Sequence, residues 1–447
     1  DGGTNPQIYA LNGSDWCNVP FSESFTNVMP AWLQLKYAHA NGLLSDDIFA
    51  VANILKVMSL HRVSDIYGPL PVLHFGETEN PYNSQEECYM HFFETLDSAI
   101  AVLKDVVENN PDAKPLEEVD ALYHGNYSKW LKLANSVKLR LAMRICYVKP
   151  DLAKQYAMEA VRDGVMETAD DSALFQSWGS ITIINPLEKI WNGYSDTRMG
   201  ASMDSYLNGY NDPRLPVYFQ PVTEGDNKGE YRGVANGMPN PQQDDYKAMS
   251  APNVQEKSTD SPLRWMMASE VAFLRAEGAM RGWTAEMGGT AEEFYNKGIE
   301  LSFLENGLSA DAAARYAADE TSKPTDFTDV STANTKYNIS ALGKITIKWN
   351  AGASEEEQLE RIITQKWIAM FPNGTEAWSE FRRTGYPLIF PVRSNYPTSG
   401  VDTNKQIRRM VFPQSEYSNN GAAVQEAVKL LGGPDNGGTK LWWDKKN

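Results

Sequence analysis

Residues 366–391 read KWIAMFPNGTEAWSEFRRTGYPLIFP. A helix end, a Pro372-Asn373-Gly374 stop, a second short helix, two adjacent arginines and a Gly385-Tyr386-Pro387 break follow one another in this stretch. Proline lacks an amide donor and crowds the preceding turn, and glycine adopts the left-handed conformation that closes a helix, so both act as punctuation. No catalytic device needs this order of residues. It describes two helices joined by a short link.

The same device recurs outward along the chain. Upstream, Ser354 and Glu357 make a capping box that opens a helix running to about Met370. From 126 to 147, Trp130, Leu133, Ala134, Val137, Leu141 and Ile145 form a clean three-four stripe, and Pro150 blocks its continuation. A second helix over 151–162 follows at once and ends at Gly164, so the two form an antiparallel hairpin. Ser261 caps a further helix with Pro262 at its first position; Leu263, Met266, Met267, Leu274 and Gly278 line one face, Glu277 and Arg281 pair one turn apart, and Gly282 ends it. Another helix spans 291–306, and 43–60 and 86–109 read as long helices.

These elements predict an all-α, mainly helical chain: a tetratricopeptide-like scaffold of helix pairs at about 30–164, 262–318 and 354–383, without the strict repeat consensus. Loop-rich segments at 165–261, 319–353 and 384–447 separate them, and loops of such length are functional or mobile. A few short β-hairpins are expected there. Ile345, Ile347 and Trp349 alternate with Lys344, Thr346 and Lys348, and 215–221 and 231–234 flank a turn at 225–229. No clean boundary divides the chain, which reads as one domain over 1–447.

Composition narrows the partners. The net charge of −17 argues against nucleic acid and against docking on anionic lipid, and leaves neutral ligands open. Aromatics are abundant, with 12 Trp and 21 Tyr. Most belong in helix packing, but a ring in a polar loop has fewer core partners and can cover the apolar face of a sugar. The three cysteines, Cys17, Cys88 and Cys146, contain no CxxC pair, and the last two read as small core residues. No apolar run is long enough for a transmembrane helix. The start at Asp1, without Met or signal peptide, reads as a mature or trimmed end.

Catalytic and metal signatures are absent. The five histidines (His39, His61, His74, His91 and His124) show no HExxH spacing, and there is no phosphate-binding glycine loop, dinucleotide fingerprint or nucleophile elbow. A glycosidase carboxylate pair is defined in space and stays open. Asp170-Asp171 and Asp244-Asp245 read as solvated turn residues, with a structural calcium as the alternative. Glu355, Glu356 and Glu357 suit a helix N-terminus. Arg140, Arg144, Arg382 and Arg383 read as ion-pairing or carbonyl-capping groups between helices, and Lys129, Lys132 and Lys138 as a solvated face.

Five segments, in order, resemble the SusD-like (SusD/RagB) family. In AVANILKVMSLHRVSDIYGPLPV (50–72), Asp65, Tyr67, Gly68 and Pro71 match a family turn, while Pro69 replaces its usual acidic residue. YHGNYSKWLKLANSVKLRLAMR (123–144) is similar to the family's central helix, Asp212-Pro213-Arg214-Leu215 to its D-P-R element, and the 366–391 stretch to its C-terminal signature. The ending holds Arg408-Arg409, Phe412-Pro413, Glu416, Asn419-Asn420, Leu431-Gly432-Gly433 and Thr439-Lys440-Leu441-Trp442-Trp443-Asp444.

The resemblance implies a lipoprotein tethered on the outer-membrane surface by an N-terminal lipid. It would capture an oligosaccharide, or in some members a peptide, and deliver it uncleaved to a SusC-like TonB-dependent transporter, with no cofactor. The family motifs would specify fold, not ligand. Ligand contacts are therefore sought among loop residues: Trp178, Trp191, Asn192, Tyr194, Asp196 and Arg198, with His74, Phe75 and Tyr82 after the Gly68-Pro69 turn. A few stacked rings predict binding in the micromolar to millimolar range. A glycoside hydrolase, or a helical interaction protein without a small ligand, are the other classes considered.

Overall fold

In the computed structural model, which describes residues 9, 11, 15–195, 197–237, 243–253, 261–332 and 336–446, the 366–391 stretch is a helix end, a cap and a second helix. The helix Glu355–Ala369 ends, Asn373 accepts the Glu376 amide as N-cap of Gly374–Thr384, and Gly385 closes that helix at φ 82°. The bonds before Pro372 and Pro387 are cis. The described chain is mainly helical, with one two-stranded sheet, and no described helix is long and apolar enough to cross a membrane.

The chain divides into two compact units. One comprises 1–117, 125–165 and 395–447; the other comprises 118–124 and 166–394.

In the first unit, the helices Met29–Ala40, Asp46–Tyr67, Gln85–Asn109, Tyr127–Arg144 and Pro150–Asp163 each pack on the next in sequence. Asp46–Tyr67 runs a further two turns beyond the expected end at Leu60, and His61 within them is buried with Nδ1 donating to the Val57 carbonyl. Three of the resembling segments meet at the buried Asp65 carboxylate. It lies 3.3 Å from the Arg144 guanidinium and accepts from the Tyr89 hydroxyl (2.5 Å) and the Trp443 indole (2.8 Å). Arg409 donates twice to the Tyr67 carbonyl, so the helix end at Gly68 is capped from the C-terminal segment. Buried and bonded to one another, these residues tie three distant stretches of the chain together. Lys138 departs from the expected solvated face: it is buried and bridges Asp97 (2.6 Å) and Glu159 (2.7 Å), carboxylates from two neighbouring helices.

The second unit is built on Ala201–Gly209, Ala268–Met280, Ala291–Glu305, Ala310–Ala317, Glu355–Ala369 and Gly374–Thr384. Gly278 and Gly298 allow close approach: a Cβ on Gly298 would lie 2.7 Å from the Phe273 ring. Arg383 joins two helices by bonding Glu277 on one and Glu380 on its own, and Arg214 of the D-P-R element grips its own Asp212 through two bonds while reaching Ser302 and Gln365.

Four local expectations are corrected. Ser261 and Pro262 do not open a helix: Leu263–Met266 is a strand paired antiparallel with Ala173–Phe175, and the helix starts at Ala268. Its first amides are taken by distant groups, Ala268 by Ser172 Oγ and Ser269 by Glu305 Oε1, so tertiary caps override the local signal. Asp171 is a buried turn anchor and not a solvated one, since it accepts from the Glu167 and Thr168 amides and the Thr168 hydroxyl, each at 3.0 Å. At 344–349 the alternation is real, with Ile345, Ile347 and Trp349 buried, but no strand pairs with it among the described residues. Side chains serve its carbonyls instead: the Tyr295 hydroxyl bonds Ile347 O (2.5 Å) and the Arg361 guanidinium bonds Lys348 O (3.0 Å). The turn at 225–229 forms as expected, closed by Val222 N to Glu230 O at 2.8 Å, while Leu215–Tyr218 is a helical turn.

Candidate functional site

The loop from 176 to 198 presents the ring surface in the second unit. It opens with a tight hairpin: Trp178 and Ile181 exchange backbone bonds of 3.0 and 2.8 Å across Gly179-Ser180, and Gly179 sits at φ 56°. A positive φ at the first central residue is what a Gly-Ser turn of this kind requires. Ser177 Oγ then accepts the Ile183 amide. Asn185 ends the hairpin and caps Pro186–Glu188 through the Leu187 amide, and its side-chain amide bonds the Ser261 and Pro262 carbonyls. One wide turn, Lys189–Gly193, carries Trp191 and Asn192.

Trp178 is 37% exposed and stacks on His124, with ring centroids 3.5 Å apart. Trp191 is half-buried, stacked on Phe371 at 5.9 Å and 14°. Tyr194 is 46% exposed with the Lys189 ammonium 5.7 Å from its ring centre, and Asn192 is exposed. Ile184 and Ile190 add exposed apolar surface. Arg198 serves the loop itself, donating to the Ser195, Thr197 and Lys247 carbonyls. Asp196 lies outside the described residues.

The other three expected positions belong to the first unit. His74 is exposed, 3.0 Å from Glu77. Phe75 is half-buried, 6.1 Å from Phe25. Tyr82 is a packing residue: it is 6% exposed, set edge-on to Phe412, and its hydroxyl donates to Glu416 at 2.7 Å. Burial, with Glu416 beside it, pushes that phenol far above its ordinary value.

Sequence reasoning did not single out His124 and Phe371 beneath the two tryptophans, or the Phe175–Trp265 stack across the two-stranded sheet (4.5 Å). The Gly179-Ser180 turn was the available local signal; the stacking partners come from other parts of the chain. A groove of about 480 Å³ elsewhere in the unit is lined by Ala313, Ala314 and Ala317, the pair Lys297–Glu300, and Lys348, itself paired to Glu320. It offers little ring surface, since Trp349 beside it is buried. Among the described residues no three His, Cys, Asp or Glu side chains are placed to hold a metal ion.

Helical scaffold, Asp65 hub and C-terminal clamp together define a SusD-like protein, and the chain belongs to that family: the family model for Susd and RagB outer membrane lipoproteins matches residues 2–444. No curated protein matches the chain. Among solved structures, it is similar to a chitin-binding SusD homologue from Flavobacterium johnsoniae, with 40% identity, TM-score 0.92, and coverage of 100% of this chain and 90% of that one. A SusD-like protein from Bacteroides thetaiotaomicron shares 38% identity at TM-score 0.91, covering 99% and 89%. A SusD homologue from Bacteroides vulgatus shares 34% at TM-score 0.91, covering 99% and 88%.

Proposed function

We propose that this protein captures an oligosaccharide at the cell surface, without cleaving it, and passes it to a SusC-like TonB-dependent transporter. The observation that carries the reading is the 176–198 loop, where Trp178 and Tyr194 stand exposed and Trp191 half-exposed on one short segment. Flat rings with wet edges suit the apolar C–H faces of pyranoses, while Asn192 supplies hydrogen bonds to hydroxyls. A net charge of −17 disfavours an anionic cargo and leaves a neutral one open. The chitin-binding relative at 40% identity makes N-acetylglucosamine oligomers the first cargo to try. In this reading a lipid at the N-terminus tethers the protein, and no cofactor takes part.

The test is calorimetry of the chain against N-acetylglucosamine oligomers, other soluble glycans and peptides, with Trp178→Ala and Tyr194→Ala alongside. Saturable, weak binding to one glycan that both substitutions reduce and chelation of metals leaves intact supports the reading. Selective binding of peptides moves the cargo to that class. Release of cleaved sugar, abolished by one carboxylate substitution, overturns the non-catalytic reading. Protease treatment of intact cells tests surface exposure, and co-purification of a TonB-dependent transporter tests the delivery step.

A further inference from the structure

The chain enters the second unit twice, once as 166–394 and once as the short stretch 118–124. That stretch is pinched at its base: Gly125, at φ 75°, lies so close to Glu117 that a Cβ would sit 2.9 Å from the Glu117 nitrogen. Within the second unit it is fastened at several points. The Asp120 carboxylate accepts the Leu122 and Tyr123 amides, the Ala121 carbonyl accepts Gln176 N at 3.1 Å, and the Tyr123 hydroxyl donates to the Asp171 carbonyl at 2.9 Å. Ala121, Leu122 and Tyr123 are buried. The Trp178 hairpin presses directly on this stretch, since a Cβ on Gly179 would lie 3.0 Å from the Glu118 carbonyl.

These fastenings converge on His124. Its backbone takes a left-handed conformation, φ 54°, and both its amide and Nδ1 donate to the Asp120 carbonyl, at 3.1 and 3.2 Å. A carbonyl only accepts, so the ring proton resides on Nδ1 and the ring plane is set. That plane lies 29° from the Trp178 indole.

We propose that His124 is a positioning residue for ligand binding: carried in by the 118–124 stretch, it covers one face of Trp178 and holds the indole so that its other side is presented to a sugar. The proposal rests on reading the 176–198 loop as the glycan face. A tryptophan flanking a two-residue turn with no backing would have to be ordered by the ligand, which lowers affinity about 2- to 10-fold.

The experiment uses the full chain grown with 5-fluorotryptophan, the Trp178 fluorine resonance being the one lost in Trp178→Phe. His124→Ala is expected to shift that resonance while the other tryptophan resonances stay in place. It should weaken binding of an N-acetylglucosamine hexamer about 2- to 10-fold, and His124→Phe, which restores a flat ring, should recover most of the loss. An unmoved Trp178 resonance, or hexamer binding that His124→Ala leaves unchanged, overturns the proposal. So does a His124→Phe variant no better than His124→Ala. If the wild-type chain does not bind the hexamer, the choice of cargo falls, and the Trp178 resonance alone then decides for or against the positioning role.

Discussion

Replacing Glu277 by glutamine tests the ionic core of the second unit. Glu277 is fully buried; Arg383 donates to both its oxygens at 2.7 and 2.6 Å, and Arg281 donates to Oε1 at 3.0 and 2.8 Å. Arg383 also holds Glu380, which in turn lies 3.0 Å from Lys366, so charges alternate along the chain of contacts. Burial alone would raise the Glu277 pKa, but Arg383 and Arg281 overcome it and hold the group at about 2, below the ordinary 4.5. A depressed carboxylate stabilises the fold above its ordinary pKa, and that stability is lost as pH falls through the folded value. At 1.36 kcal/mol per pKa unit, the difference from 4.5 to about 2 gives about 3 kcal/mol at pH 7. Removing one partner of a buried pair gives about 3–5 kcal/mol by a separate route. Glu277→Gln should therefore destabilise the 268–280 helix by about 3 kcal/mol at pH 7, falling to about 1.4 kcal/mol at pH 3. Amide hydrogen exchange read peptide by peptide is the suitable assay, because a chain of two units need not unfold in one step. A loss below about 1 kcal/mol at pH 7, or one that does not shrink by pH 3, would refute the reasoning.

Glu360 shows the opposite sign. Burial, reinforced by Glu357 and Glu356 against Arg361, raises its pKa to about 7, so its contribution is present below 4.5 and lost as pH rises through 7. Because the side chain is only partly buried, Glu360→Gln should gain only about 1 kcal/mol over wild type at pH 8 and little at pH 4; equal effects at both pH values would contradict this. Gly298→Val should lower stability by about 1–3 kcal/mol by driving a side chain into the Phe273 ring, and an unchanged melting temperature would show that the two helices can separate at no cost. The Cys88 thiol is buried and pushed up to about 12 by that burial, so it should resist thiol reagents at pH 8 until the chain is unfolded; fast labelling of the native protein, read by peptide mass spectrometry, would disprove it.

Much of the fold was legible because its signals are local. The stripe from Trp130 to Leu141, the Pro372-Asn373-Gly374 stop and the Gly385 break each act within a turn or two of chain, and all are realised. What was not legible depends on distant partners. Lys138 looked solvated among its neighbours on the sequence, but Asp97 and Glu159 meet it from other helices. The Ser261-Pro262 start gave way because Ala173–Phe175 pairs with the following residues. The candidate site divides in the same way. The loop aromatics could be picked out by their polar setting, and Trp178 and Tyr194 are indeed exposed. That Tyr82 is buried against Phe412, and that His124 backs Trp178, depends on chain segments far apart in sequence.

The unpaired 344–349 segment has a consequence for how the chain can change length. Its three apolar side chains reach the interior through strict alternation, and with no strand paired to it among the described residues its position rests on bonds such as that from Tyr295 to the Ile347 carbonyl and that from the Lys348 amide to the Asp319 carbonyl. Deleting or inserting one residue would turn Ile345, Ile347 and Trp349 outward and bring Lys344 and Lys348 inward, whereas a change of two residues preserves the phase. Descendants of this chain should therefore gain or lose residues here in even steps, while the exposed turn at 225–229 is free to vary by single residues.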